Sequence, residues 1–147
     1  MKQLLLILFC ALSINLSAQI DQIVGRWTTI DDEKNIPVSI INIYRGTDGL
    51  YYGQIERILV KGEENKICKA CEGELHNKPV VGIVNVQKME WRDGKLQGGT
   101  ILDPNNGKTY YAKMWLDPQT GKLVLRGSLD KRGILGRNQE WIRHTGK

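Results

Sequence analysis

Turn signals recur along this chain at short intervals and leave no room for helical crossovers. Gly46-Thr47-Asp48-Gly49, Arg92-Asp93-Gly94-Lys95, Asp103-Pro104-Asn105-Asn106-Gly107-Lys108 and Asp117-Pro118-Gln119-Thr120-Gly121-Lys122 each separate two runs rich in Ile, Val, Leu, Tyr and Thr. Gly accepts positive φ, Pro presets φ, and Asp hydrogen-bonds the amides ahead of it, so such clusters read as tight turns. The runs between them predict eight strands, at 24–30, 37–45, 50–60, 80–91, 96–102, 109–116, 123–128 and 137–143. Parallel neighbours need connections of about a dozen residues or more, so consecutive strands should pair antiparallel. Eight such strands hide their edges by closing on themselves. The expected fold is all-β, a single antiparallel up-and-down barrel. A barrel of this size is either packed with side chains or holds one small ligand.

The chain does not begin with a strand. Met1-Lys2-Gln3 is positive, residues 4–12 (LLLILFCAL) are almost wholly apolar, and residues 13–18 end in the small pair Ser17-Ala18. This is the order of a secretory signal peptide, with cleavage expected after Ala18. Residues 1–18 then form the signal and 19–147 the barrel domain, exported to the periplasm or the cell exterior. The apolar run is short of the roughly 20 residues a transmembrane helix needs, and no longer run follows. The net charge of +5 is spread over positive residues interleaved with acids. No clustered basic face with stacking aromatics is present, which argues against nucleic acid as a partner.

Cys68-Lys69-Ala70-Cys71 lies in a polar stretch, 61–79. In an exported protein such a pair reads first as a local disulfide that pins a loop. A thioredoxin-like redox pair is the second reading, but it requires a strand before and a helix after the first Cys. Half a zinc site is the third, and only His76 and the distant His144 could complete it. The disulfide reading is preferred, with no metal and no cofactor expected.

Gly25-Arg26-Trp27 opens the first strand and Arg143 closes the last. This resembles the lipocalin-like (calycin) pattern, in which a Gly-x-Trp near the N-terminus stacks under a cationic side chain from the end of the barrel. A longer resemblance covers nearly all of 19–147. Gly25-Arg-Trp27 with Asp31-Asp32, Tyr52-Gly53-Gln-Ile55, Cys68-x-x-Cys71 and Gly99-Thr-Ile-Leu-Asp103-Pro-Asn-Asn-Gly107-Lys108-Thr-Tyr110 carry it. Trp115, Arg126-Gly127 and Gly136-Arg137-x-Gln139-x-Trp141 complete it, and the whole resembles the DUF2147 family of exported bacterial proteins of unknown function. The resemblance implies compartment and fold, and no activity.

No catalytic constellation is visible. His144 lies near the chain end, where fraying is expected. Ser39 and Ser128 sit outside any Gly-x-Ser-x-Gly elbow. Asp31, Asp32 and Asp103 are explained as turn caps, so no enzyme is expected. Strand alternation instead suggests a binding face that mixes aromatic and polar groups. The candidate ligand contacts are Asn42, Tyr44, Tyr52, Tyr110, Trp115 and Arg126, with Arg126 receiving an anionic group on a small apolar or amphipathic ligand. Two alternatives stand beside this one. In the first, the pinned 61–79 loop presents a surface to a protein partner. In the second, Cys68 and Cys71 carry out thiol redox chemistry.

Overall fold

In the computed structural model, which describes residues 19–146, all eight predicted runs are strands. They are β1 (Gly25–Ile30), β2 (Pro37–Arg45), β3 (Tyr51–Ile58), β4 (Val84–Arg92), β5 (Lys95–Asp103), β6 (Lys108–Leu116), β7 (Leu123–Ser128) and β8 (Gly136–Arg143). Each pairs antiparallel with its neighbour in sequence, and β8 returns to β1, so the barrel is closed. The closing register sets Trp27 opposite Arg143 and Thr29 opposite Trp141. The expected signal peptide lies outside the described residues. Among the described residues, no helix is long and apolar enough to cross a membrane.

Up-and-down connectivity sorts the loops into two ends. The β2–β3, β4–β5 and β6–β7 turns share one end with the start of β1, here the floor. The β1–β2, β3–β4, β5–β6 and β7–β8 connections share the other end, the mouth.

A helical turn at residues 19–23, not foreseen in the sequence, plugs the floor. Trp27 Nε1 donates to the Ile23 carbonyl at 2.7 Å. The Arg143 guanidinium lies 4.0 Å from the Trp27 ring centroid. It donates to the Val24 carbonyl at 3.0 Å and to the Gln22 carbonyl. The same geometry explains Gly25. Its φ is +115°, and a Cβ there would stand 2.9 Å from Arg143 Nη1. The Gly-x-Trp motif is therefore a space requirement as well as a backbone one. Above this plug the floor half is solid: Ile43, Met89, Leu96, Met114 and Leu123 are each at most 1% exposed.

The stretch between β3 and β4 is neither plain loop nor partly strand. The strand expected from residue 80 begins only at Val84, because Gly82 turns the chain with φ +98°. Before that turn, residues 61–79 fold back on themselves. Ile67 bridges Pro79, the Cys68 amide donates to the Lys78 carbonyl at 2.8 Å, and a 3-10 turn spans Gly73–Leu75. Cys68 and Cys71 form a disulfide. Both are buried and pack in the main core with Val80, while Leu75 lies partly buried against it. The segment is thus a flap seated on the mouth end.

Its seat is the β5–β6 turn. Gly107 has φ +70°, and a Cβ there would fall 1.9 Å from the Ala70 carbonyl oxygen. Lys66 Nζ reaches Asn105 Oδ1 at 2.9 Å, and Cys68 Sγ lies 3.3 Å from the Pro104 oxygen. Asp103 and Asp117 shape the two related turns alike. Each side chain accepts a backbone N–H two residues ahead at 2.9 Å.

Candidate functional site

The mouth half of the barrel holds a cavity of about 880 Å³. Ile41, Ile55, Ile58, Ile101, Leu125 and Trp141 form its apolar wall. Thr29, Ser39, Asn85, Tyr110 and Gln139 add polar atoms. Strand alternation puts them there. On β2, Ser39, Ile41 and Ile43 share the inner face, and on β7, Leu123, Leu125 and Gly127 do so.

Several of the interior polar groups satisfy one another. Thr29 Oγ1 and Ser39 Oγ are 2.7 Å apart, and the Ser39 amide donates to Thr29 Oγ1 at 3.1 Å. Trp141 Nε1 donates to Gln139 Oε1 at 3.3 Å. Asn85 differs. It is 4% exposed, it lines the cavity, and its Oδ1 has no hydrogen-bond partner. A buried acceptor left unpaired costs about 1–3 kcal/mol, so Asn85 Oδ1 stands out as an open hydrogen-bonding position on the cavity wall.

Charge is confined to the rim. Asp31 accepts the Lys34 and Glu33 amides at 2.8 and 2.9 Å, and these bonds, Lys34 first, hold its carboxyl below the usual range. Asp32 faces Arg137 at 3.7 Å. Lys66 bonds Glu63 at 2.9 Å. In the β7–β8 connection, Asp130 accepts the Leu135 amide at 2.6 Å and the Ile134 amide at 3.1 Å, which lowers its pKa in the same way.

Of the six ligand contacts expected from sequence, the structure places only Tyr110 on the cavity. The other five are on the outer face. Asn42 pairs across to Arg26 and Gln54 between the inward Ile41 and Ile43. Tyr44 and Tyr52 stack outside, with centroids 5.9 Å apart, and Tyr52 donates its hydroxyl proton to Asp48. Trp115 lies under Lys95 Nζ at 5.1 Å. Arg126 follows the inward Leu125, so it points out. Its guanidinium donates to the carbonyls of Gly133 and Ile134 and to Asn138 Oδ1. The expected anion receptor is therefore a brace for the β7–β8 loop.

On β2, β3 and β7 the residues expected to face inward belong to the outer parity, and on β6 Tyr110 and Trp115 come from opposite faces. The useful signal was the more uniformly apolar parity: Ile41 with Ile43, Ala112 with Met114, Leu123 with Leu125. His144, expected to fray, is docked on the outer face. Its amide donates to the Arg26 carbonyl at 3.1 Å and its Nδ1 lies 3.1 Å from Thr28 Oγ1.

The alternative sites look different in three dimensions. The disulfide is buried, with Cys68 0% and Cys71 3% exposed and Cys68 Sγ against the Pro104 oxygen of the β5–β6 turn. The flap turns its cysteines inward and exposes most of its other residues, 61–65, 72–74 and 76–79 among them. Among the described residues, no three His, Cys, Asp or Glu side chains gather as a metal site.

Comparison with known proteins agrees with this geometry. Residues 25–143 match the family described as an uncharacterized protein conserved in bacteria, DUF2147. The solved structure of protein HP1028 from Helicobacter pylori, described as belonging to the lipocalin family, is similar at a TM-score of 0.71. The two share 23% identity over 83% of this chain and 82% of that chain. At that identity the likeness speaks for the barrel alone. No curated protein matches the sequence.

Proposed function

The chain belongs to the DUF2147 family of bacterial proteins, and we propose that its barrel is an exported carrier for a small, elongated, amphipathic molecule. The observation that carries this reading is the unpartnered Asn85 Oδ1 inside a half-hollow barrel. The volume falls within the range of about 300–1,000 Å³ typical of small-molecule sites. The apolar wall suits an alkyl or alicyclic body. Asn85 Oδ1 asks for a hydroxyl or N–H donor on that body. A terminal anionic group would remain at the rim, near Lys108 and Arg137. Binding here involves no chemical step. The buried disulfide fits an oxidising compartment, which supports the reading of export.

The test is a titration followed by tryptophan emission, since Trp141 lines the cavity. Stearate and 12-hydroxystearate serve as the probe pair. Saturable changes are expected with both, the hydroxylated probe binding about tenfold more tightly, the worth of one well-made buried hydrogen bond. Asn85→Leu should remove the preference while keeping stearate binding. No spectral response to either probe, with no species co-purifying by native mass spectrometry, would overturn the proposal.

A further inference from the structure

The β7–β8 connection carries a feature that a closed carrier does not require. Leu129, Ile134 and Leu135 are 70%, 67% and 64% exposed, more than any other large apolar side chain among the described residues. Single exposed apolar residues are ordinary, but three on one short loop are not. The exposure is also enforced. The Leu129 amide donates to the Leu135 carbonyl at 2.8 Å, and the Gly133 amide to the Asp130 carbonyl at 3.0 Å. Asp130 caps the Ile134 and Leu135 amides, and Arg126 ties down the Gly133 and Ile134 carbonyls. A loop held this firmly keeps Ile134 outward and holds Leu129 and Leu135 exposed at the edge of the mouth.

Positive charge predominates within the loop, and since Arg126 is bonded to loop carbonyls and Arg137 faces Asp32, Lys131 and Arg132 are the cations presented at the tip. Residues 126–137 contain Arg126, Lys131, Arg132 and Arg137 against the single acid Asp130. Lys131 and Arg132 are exposed at the tip, and Lys113 Nζ reaches the Arg132 carbonyl from β6. Ile36, 42% exposed, lies on the β1–β2 loop at the same end of the barrel. Apolar tips flanked by cations complement an anionic bilayer surface, where the side chains enter the acyl boundary and the cations meet phosphates.

We propose that the β7–β8 loop docks the barrel mouth on anionic phospholipid membrane. A protein partner fits less well, because a stable protein interface buries about 800 Å² per side and this tip offers three side chains. Position favours the bilayer too. Leu129 and Leu135 also line the cavity, so the docking tip borders its opening. The proposal does not depend on what the cavity holds.

Vesicle flotation tests it. The chain from Gln19 onward, which holds every strand and the floor plug, is used so that the apolar run 4–12 cannot carry it to the lipid. Near-UV circular dichroism confirms a closed barrel in each form. The protein should float with phosphatidylglycerol–phosphatidylcholine vesicles at a one-to-three ratio, and about tenfold less with phosphatidylcholine alone. Ile134→Asp, which leaves the cavity wall untouched, and the pair Lys131→Glu with Arg132→Glu should each lower the partition about tenfold on the anionic vesicles. Equal partition of wild type and both variants would overturn the proposal. So would the absence of flotation on either composition, which would leave the tip to an acidic protein surface.

Discussion

At the scale of single residues, the floor plug concentrates several interactions on one side chain. Arg143 covers the face of Trp27 and donates to two carbonyls of the N-terminal turn. A cation over indole contributes about 0.5–2 kcal/mol, and hydrogen bonds to charged groups about 1.5–3 kcal/mol, with solvent screening reducing both at this partly exposed guanidinium. Arg143→Met keeps the length of the side chain and removes the charge and the donors. It should cost about 2 kcal/mol, read as a lower urea midpoint at unchanged slope. This contact was legible in the sequence because Gly25, Trp27 and Arg143 form a motif with fixed positions at the two ends of the barrel. The cavity residues were not. A strand pattern gives two parities, and on β2 and β3 both carry large side chains. Which parity faces inward follows from barrel closure, and the register of β1 on β8 is not written in either strand alone.

Among elements, the turns were the easiest to read and the flap the hardest. Asp103 and Asp117 make the same side-chain bond in two turns of the same composition, as local chemistry dictates. Residues 61–79 are polar and glycine-containing, so they read as loop. Their fold depends on contacts outside the segment, with the disulfide buried and Ala70 seated on Gly107. Gly107→Ala should therefore act on the flap more than on the barrel. The new Cβ meets the Ala70 oxygen, and the positive φ adds strain of about 1–3 kcal/mol. Hydrogen exchange at the Cys68 and Val80 amides, which bond the Lys78 and Lys66 carbonyls, should quicken roughly ten- to a hundredfold. The amides of β7 should be unaffected. Uniform acceleration across the barrel would show that the flap is not a separate unit.

For the whole molecule, closure joins residues far apart in sequence: Trp27 pairs with Arg143. Sheets dominated by such distant pairings fold slowly, in milliseconds to seconds, because loop closure precedes its reward. Refolding followed by tryptophan emission should be dominated by a phase in that range. A microsecond phase carrying most of the amplitude would mean that the barrel forms from local hairpins without waiting for β8. The finished barrel divides its labour along its axis, solid around Met89, Leu96, Met114 and Leu123 and hollow around Asn85 and Trp141. The core is one continuous cluster, but the cavity wall also includes side chains that are only partly buried, Ile101 and Tyr110. For a barrel acting as the proposed carrier, substitutions at Ile101 or Tyr110 would alter what the cavity accepts at less cost to the core than substitutions at Ile55, which is 3% exposed. Across descendants of one ancestor, a barrel with the proposed carrier role would keep its floor nearly constant while its mouth varied with the cargo.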